Sequence, residues 1–206
     1  MCKVQGFIFW LLVSLFSSSG LFAQDCPTDE LGRRNGECSF FNSDKNRWIT
    51  ATFQNGNLHG VYQEYGVWRN SRILRYQAFY INGELNGFVK SFRYDGKIET
   101  EQSYLGGLLN GPTNRYQNGI LDIREYYLSG EPHGEWIFYD ARGRTETNFF
   151  CQEGVCGNSY FYDNKGRLVR EIVRGADGLG YQDIYYNKKG EVIRVETRPN
   201  GVPPEE

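Results

Sequence analysis

Short runs in which apolar and polar residues alternate recur along the chain, and glycine-containing turns separate them. The clearest example runs from Tyr80 to Gly96 and reads YINGELNGFVKSFRYDG. Each run has room for about six to eight extended residues, the usual length of a β-strand. Asn-Gly and Asp-Gly pairs stand between runs, where tight hairpin turns require positive φ. No segment shows helical apolar spacing, so the pattern predicts an all-β chain of consecutive hairpins.

The glycine turns recur with a fixed period. The first turn of each unit reads Gly-x-x-(His/Asn)-Gly, and its glycines are Gly56 and Gly60, Gly83 and Gly87, Gly107 and Gly111, Gly130 and Gly134, and, one residue shorter, Gly154 and Gly157. The first glycines of successive turns lie 27, 24, 23 and 24 residues apart, and a second turn glycine falls midway between them. A fixed period in this range is typical of repeat architectures. We therefore predict an elongated, twisted antiparallel meander of tandem β-hairpin repeats.

Two aromatic columns keep the same period, one before each first turn and one after it. The earlier column contains Phe53, Tyr80, Tyr104 and Tyr127, with Cys151 in the fifth unit, and the later column contains Tyr65, Phe92, Tyr116, Tyr139, Tyr162 and, by extension, Tyr185. Some strands carry aromatic residues on both faces, so the sheet is expected to lack a single thick core. Cross-strand pairs then stabilise it, at roughly 0.2–1 kcal/mol each.

The two ends of the chain differ from the repeats. Residues 1–24 combine a short positive start, an apolar run and a region of small residues, which is typical of a secretory signal peptide. The apolar run is short for a membrane anchor. We predict a disulfide-tied N-terminal cap over 25–50, the repeat domain over 51–198, and a disordered tail over 199–206. The mature chain is expected to be exported, without a transmembrane segment, to the periplasm, the cell surface or the medium.

Four cysteines remain after the predicted signal peptide, namely Cys26, Cys38, Cys151 and Cys156. An even number in an exported protein suggests disulfides, although the count alone allows three pairings. Cys151 and Cys156 flank the shortened turn, where they face each other across a hairpin. We therefore predict a Cys151–Cys156 bond and, by elimination, a Cys26–Cys38 bond.

Few residues or motifs in the sequence indicate catalysis, metal binding or nucleic-acid binding. The formal net charge is −2, and the chain lacks the basic patch that nucleic-acid binding needs. The histidines His59 and His133 occupy the repeat position where Asn86 and Asn110 stand in sister units. Backbone geometry therefore explains them better than catalysis or metal binding. Hydrolase, Walker and zinc-protease motifs are absent, and the sequence predicts a non-enzymatic protein with no cofactor, metal or nucleic-acid partner.

Exposed aromatic residues on a rigid sheet are good contact residues, because they offer large area at low entropy cost. Trp48, Trp68 and Trp136 are the candidate binding surface. The alternative is that these side chains pack among the aromatic columns and cover the surface of the sheet.

Two units, Phe53-x-x-Gly56-Asn-Leu-His-Gly60 and Tyr127-x-x-Gly130-Glu-Pro-His-Gly134, resemble MORN repeats. With the later aromatic and the second turn, they are most similar to the bacterial branch known as YwqK-type antitoxin repeats. The resemblance covers roughly residues 50–195. It implies an elongated, twisted row of hairpins and a scaffold role in protein contacts, with lipid binding proposed for some members.

The predicted function is an exported scaffold that binds an unidentified protein at the envelope or outside the cell. Two alternatives stay open, which are a glycan- or lipid-binding envelope module and a toxin-neutralising partner.

Overall fold

In the computed structural model the described residues are 26–174 and 180–199, and they form one open antiparallel sheet of 16 strands. Sequential strands are neighbours throughout, which confirms the predicted all-β meander of hairpins. The described part of the chain contains no helix able to cross a membrane. The predicted signal peptide and the tail beyond Pro199 lie outside the described residues.

The strands are short, as the spacing of the turns predicts. They are β1 Gly36–Asn42, β2 Arg47–Gln54, β3 Asn57–Trp68, β4 Ser71–Ile81, β5 Glu84–Leu85, β6 Gly87–Phe92, β7 Ile98–Leu105, β8 Leu108–Gln117, β9 Ile120–Leu128, β10 Glu131–Pro132, β11 Gly134–Tyr139, β12 Thr145–Gln152, β13 Val155–Tyr162, β14 Leu168–Arg174, β15 Gly180–Tyr186 and β16 Val192–Pro199. The two-residue strands β5 and β10 begin repeat strands that break at Asn86 and His133 before continuing as β6 and β11.

One hydrogen bond links the first turns of successive units. The backbone N–H of each first turn glycine donates to a carbonyl oxygen of the preceding turn, and the pairs are Gly56 to Arg34, Gly83 to Leu58, Gly107 to Leu85, Gly130 to Leu109 and Gly154 to Pro132, at 2.7–3.1 Å. Arg34 thus takes the place of a repeat leucine. Its segment, Gly32-Arg-Arg-Asn-Gly36, is a further copy of the turn, and the sheet begins at Gly36, inside the segment expected to be a cap.

Three turns share a five-residue design, and two of them are second turns of the repeat. In the turn from Asp140 to Arg144, one Asp140 carboxylate oxygen accepts the N–H groups of Arg142 and Arg144, while the other accepts the Arg144 guanidinium. The same bonds recur between Asp163 and Arg167 and between Asp29 and Arg33. The sequence D-x-x-G-R therefore closes three separate turns with a salt bridge.

Most of the buried side chains form a single row across one face of the sheet, here called face A. The row includes Cys38, Ala51, Ala78, Val89, Thr113, Glu125 and Asp183, all at most 6% exposed. Directly paired residues share a face, and the register links this row through partners such as Tyr62 and Gln102. The core is therefore a line of small and polar residues instead of a layer between two sheets.

The two aromatic columns lie on opposite faces. Tyr80 pairs with Gly60 and Leu85 on face A. Tyr65 follows directly after Glu64 of face A and pairs with Leu74 on the other side, face B. Side chains on both faces leave no thick core, as the sequence predicts.

The last unit departs by one residue from the predicted register. Tyr186 pairs with Val192 on face B, so it takes the column position that the sequence assigns to Tyr185. Tyr185 instead pairs with Arg170 on face A. The reason is that Gly180 stands one residue further from the column than the corresponding glycine of each earlier unit.

Both predicted disulfides are present, with Cα–Cα distances of 4.4 Å for Cys26–Cys38 and 3.9 Å for Cys151–Cys156. Cys151 and Cys156 are direct cross-strand partners next to Gly134. They occupy the places that Tyr104 and Leu109 hold in an earlier unit. The bond thus replaces an aromatic–leucine pair of the repeat.

A buried ion cluster closes the C-terminal end of the described sheet. Asp183 is fully buried, and one of its oxygens accepts the Arg170 guanidinium at 2.5 Å. Its other oxygen binds Arg198. Hydrogen bonding to Asp183 raises the pKa of Arg198 above its ordinary value. Two cations therefore hold one carboxylate at the junction of β14, β15 and β16.

Candidate binding surfaces

The two long edges of the sheet, each formed by one set of turns, differ in charge. At the first-turn edge, the segments 53–60, 80–88, 103–112, 126–135 and 150–158 contain no Lys or Arg, and their only acidic residues are Glu84, Glu131, Glu135 and Glu153. The leading copy of the turn, residues 32–36, lies at the same edge and contains two arginines. At the second-turn edge, the described turns contain Lys or Arg except for the turn at Gly119. Between residues 53 and 158 the first-turn edge is therefore acidic, and the second-turn edge carries most of the cations.

Exposed apolar side chains gather beside the acidic edge on face B. This apolar strip consists of Val61, Phe79, Ile81, Phe88, Leu105, Leu108, Tyr126, Leu128, Phe150 and Val155, which are 39–65% exposed. Val61 pairs directly with Phe79, and Leu105 pairs directly with Leu108. The register therefore places the strip in two adjacent rows that run from β3 to β13.

The three tryptophans of the predicted binding surface do not come together. Trp48 is half-buried on face B, with the Arg72 guanidinium 3.9 Å from its ring centroid. Trp136 is half-buried on face A, where its Nε1–H donates to the Tyr126 carbonyl oxygen at 3.1 Å. Trp68 is 47% exposed, and six strand spacings, about 29 Å, separate it from the strand of Trp136.

Trp68 lies on a hairpin that is longer than the repeat requires. The β3–β4 hairpin continues past the later aromatic column by the pairs Gly66–Ile73, Val67–Arg72 and Trp68–Ser71. Its two turn residues, Arg69 and Asn70, both have positive φ, which is the geometry of a two-residue hairpin turn. This extension explains why the first two turn glycines lie 27 residues apart.

The extended hairpin forms a groove of about 610 Å³ with the turn that follows it. The lining residues are Trp68, Arg69, Arg75, Arg93, Tyr94, Asp95 and Glu99. The ring centroids of Trp68 and Tyr94 lie 5.2 Å apart. Aromatic, cationic and anionic groups therefore meet in one open cavity, which suits a polar ligand with an apolar face.

Two tyrosines at the centre of face A have raised pKa values, and their surroundings in the sheet account for this. Burial raises the pKa of Tyr62 above its ordinary value, and the hydrogen bond from its hydroxyl to Glu64 raises it further. Burial also raises the pKa of Tyr76.

The histidine His59 lies 3.4 Å from the side-chain oxygen of Asn82. In the described ranges no three His, Cys, Asp or Glu side chains gather into a metal site.

A scan of protein-family models finds no match to this chain. A search of curated proteins finds no relative either.

Two features of these surfaces were not anticipated from the sequence. A feature of the sequence does point to the groove, because the 27-residue spacing marks the single long unit that forms it. The sequence signal for the apolar strip is weaker, because its residues stand at four different distances from the turn glycines and so do not form one repeat column. Their common face follows only from the register of the strands.

Proposed function

We propose that this protein is an exported, non-enzymatic repeat scaffold that binds another protein through the apolar strip. Its main support is that the repeat places ten exposed apolar side chains on one face, beside a stretch of the edge from β3 to β13 that contains no Lys or Arg. Contiguous apolar patches on soluble proteins usually mark contact surfaces. The resemblance to MORN repeats, many of which act as scaffolds, supports the same role.

The charges beside the strip indicate the chemistry of the partner. Glu84 pairs with Ile81, and Glu131 pairs with Leu128, so carboxylates border the apolar side chains directly. A partner segment that combines apolar residues with Lys or Arg would match both features. The same carboxylates would repel an anionic lipid surface, which favours a protein partner over a membrane.

Export is part of the proposal. Two disulfides indicate a non-reducing compartment, because cytosolic thiols are kept reduced. The predicted signal peptide supplies the route.

Site-specific photo-crosslinking in the source cells tests the proposal. The photoreactive residue p-benzoylphenylalanine replaces Phe88 or Phe150 in the strip, and Val67 serves as the control position because it is 57% exposed on face B outside the strip. We expect one crosslinked protein from both strip positions and none from Val67. Equal products from all three positions, or none from the strip, would contradict the proposal.

A further inference from the structure

The arginines of the extended β3–β4 hairpin differ from those that close the D-x-x-G-R turns. Arg144 and Arg167 form salt bridges with the aspartates that begin their turns. Among the described residues, Arg69, Arg72 and Arg75 form no salt bridge. The cations of this hairpin are therefore not engaged in salt bridges with the described residues.

Arg75 is the most constrained of these cations. Its guanidinium lies 4.0 Å from the centroid of the Tyr94 ring, and its Nε and Nη1 atoms are buried without a hydrogen-bond partner among the described residues. A Cβ atom at Gly66 would lie only 3.2 Å from the Arg75 Cγ atom, so the glycine provides the space for the arginine stem. Buried donors without partners are costly, and an anionic group in the groove would offset that cost.

Two aromatic rings form the apolar part of the groove. Trp68 and Tyr94 are 47% and 41% exposed, and their ring planes differ by 35°. Rings at this separation and tilt partly overlap, and the Arg75 guanidinium also lies over Tyr94, so Trp68 offers the larger accessible apolar surface. The C–H face of a sugar ring packs well against an exposed aromatic surface, and the groove volume of about 610 Å³ lies within the range of small-ligand sites.

Asp95 and Glu99 line the same groove. Carboxylates accept hydrogen bonds from hydroxyl groups, of which a saccharide carries several. We propose that the groove binds a uronate-type saccharide. Its carboxylate contacts Arg75, its ring packs on Trp68 and Tyr94, and its hydroxyls donate to the two acids.

Isothermal titration calorimetry on the oxidised mature chain tests this site. The probes are trisaccharides of galacturonate, glucuronate and mannuronate, together with the neutral methyl ester of each. We expect at least one uronate to bind, and its ester to bind at least tenfold more weakly because the charge is lost. Trp68→Ala and Arg75→Met should each weaken uronate binding at least tenfold.

Trp136→Ala is the matched control, because it removes an aromatic side chain from the same face six strands away. It should leave uronate affinity within twofold, and circular dichroism establishes that each variant is folded. Lack of binding by all three uronates would overturn the proposal. Binding that survives Trp68→Ala, or equal affinity for oligothymidylate, would also overturn it. Substitutions in the apolar strip are expected to leave this affinity unchanged, so this site and the protein-binding proposal can fail separately.

Discussion

The backbone N–H of Gly83 donates a hydrogen bond to the carbonyl oxygen of Leu58 at 2.7 Å. The bond joins the first turns of two successive units and has equivalents at Gly107, Gly130 and Gly154. The turn edge is thus held together by backbone groups as well as by the strand ladder. Because backbone groups do not depend on side-chain identity, the sequence of the turns can vary while the architecture persists.

The second glycine of a first turn is predicted to be the less replaceable one wherever its φ is positive, which excludes Gly157. Gly111 has φ +108°, and a Cβ atom there would lie 3.1 Å from the Ser103 Cβ atom. Gly83 has φ +89° and open space around it. Gly83→Ala should cost about 1 kcal/mol through backbone strain alone, and Gly111→Ala about 2–3 kcal/mol through strain and contact. Urea unfolding measures both, and equal costs would contradict the account.

The sequence could predict the meander because glycine turns and aromatic columns are local signals. It did not identify Gly32 as the start of a further unit, because the position three residues earlier holds Asp29 instead of an aromatic. It also could not place the columns on opposite faces. Each unit contains a register shift, such as the one between Glu64 and Tyr65, and a shift changes which face the following residues occupy.

Asp183 is predicted to be the most sensitive ionic position in the sheet. Asp183→Asn would leave Arg170 and Arg198 without their buried carboxylate, and breaking a buried ion pair costs roughly 3–5 kcal/mol. Glu196→Gln is the control, because Glu196 lies opposite Asp183 with a side chain that is 46% exposed. We expect the control to change the unfolding free energy by less than about 1 kcal/mol. Similar effects of the two variants would refute the prediction.

Acid stability should depend on the second turns. Arg144 and Arg167 lower the pKa values of Asp140 and Asp163 from 3.8 to about 2. A carboxyl group with a lowered folded-state pKa stabilises the fold above its unfolded-state pKa, and this stabilisation disappears as the pH falls through the folded value. The melting temperature should therefore fall between about pH 4 and pH 2.

Asn at both positions tests the origin of this fall. Asn187 already accepts the turn N–H groups of Lys189 and Glu191, so asparagine preserves the backbone of the turn. The double variant Asp140→Asn/Asp163→Asn should melt lower at pH 5 and show a smaller further decrease towards pH 2. The exposed Asp44→Asn serves as a control that retains the wild-type profile. A double variant with an unchanged profile would show that other groups cause the fall.

The Cys151–Cys156 bond is predicted to be exchangeable for the side-chain pair that it replaces. Cys151→Ser/Cys156→Ser should lower the unfolding free energy by about 2 kcal/mol, the value for so short a loop. Cys151→Tyr/Cys156→Leu introduces the repeat pair and should recover at least half of that loss. Urea titrations of the three proteins provide the comparison, and a Tyr/Leu variant weaker than the Ser variant would argue against equivalence of the two pairs.

The candidate surfaces were less predictable than the fold. Tryptophan content indicated three residues, but Trp48 and Trp136 pack into the sheet and only Trp68 joins a groove. The strip contains no tryptophan, and residues such as Phe88 and Leu105 gain a common face only through the strand register. Pairing across strands is long-range information that the local pattern does not carry.

The central claim is that the apolar strip binds a protein partner, and the affinity for the crosslinked partner tests it most directly. In calorimetry, Phe88→Ser/Phe150→Ser should weaken binding at least a hundredfold, because burial of each phenylalanine contributes about 1.5–3 kcal/mol. The matched variant Val67→Ser/Val192→Ser removes two side chains that are 57% and 56% exposed outside the strip, and it should bind like the wild type. Unchanged affinity of the Phe variant, with the folded circular dichroism spectrum retained, would contradict the account.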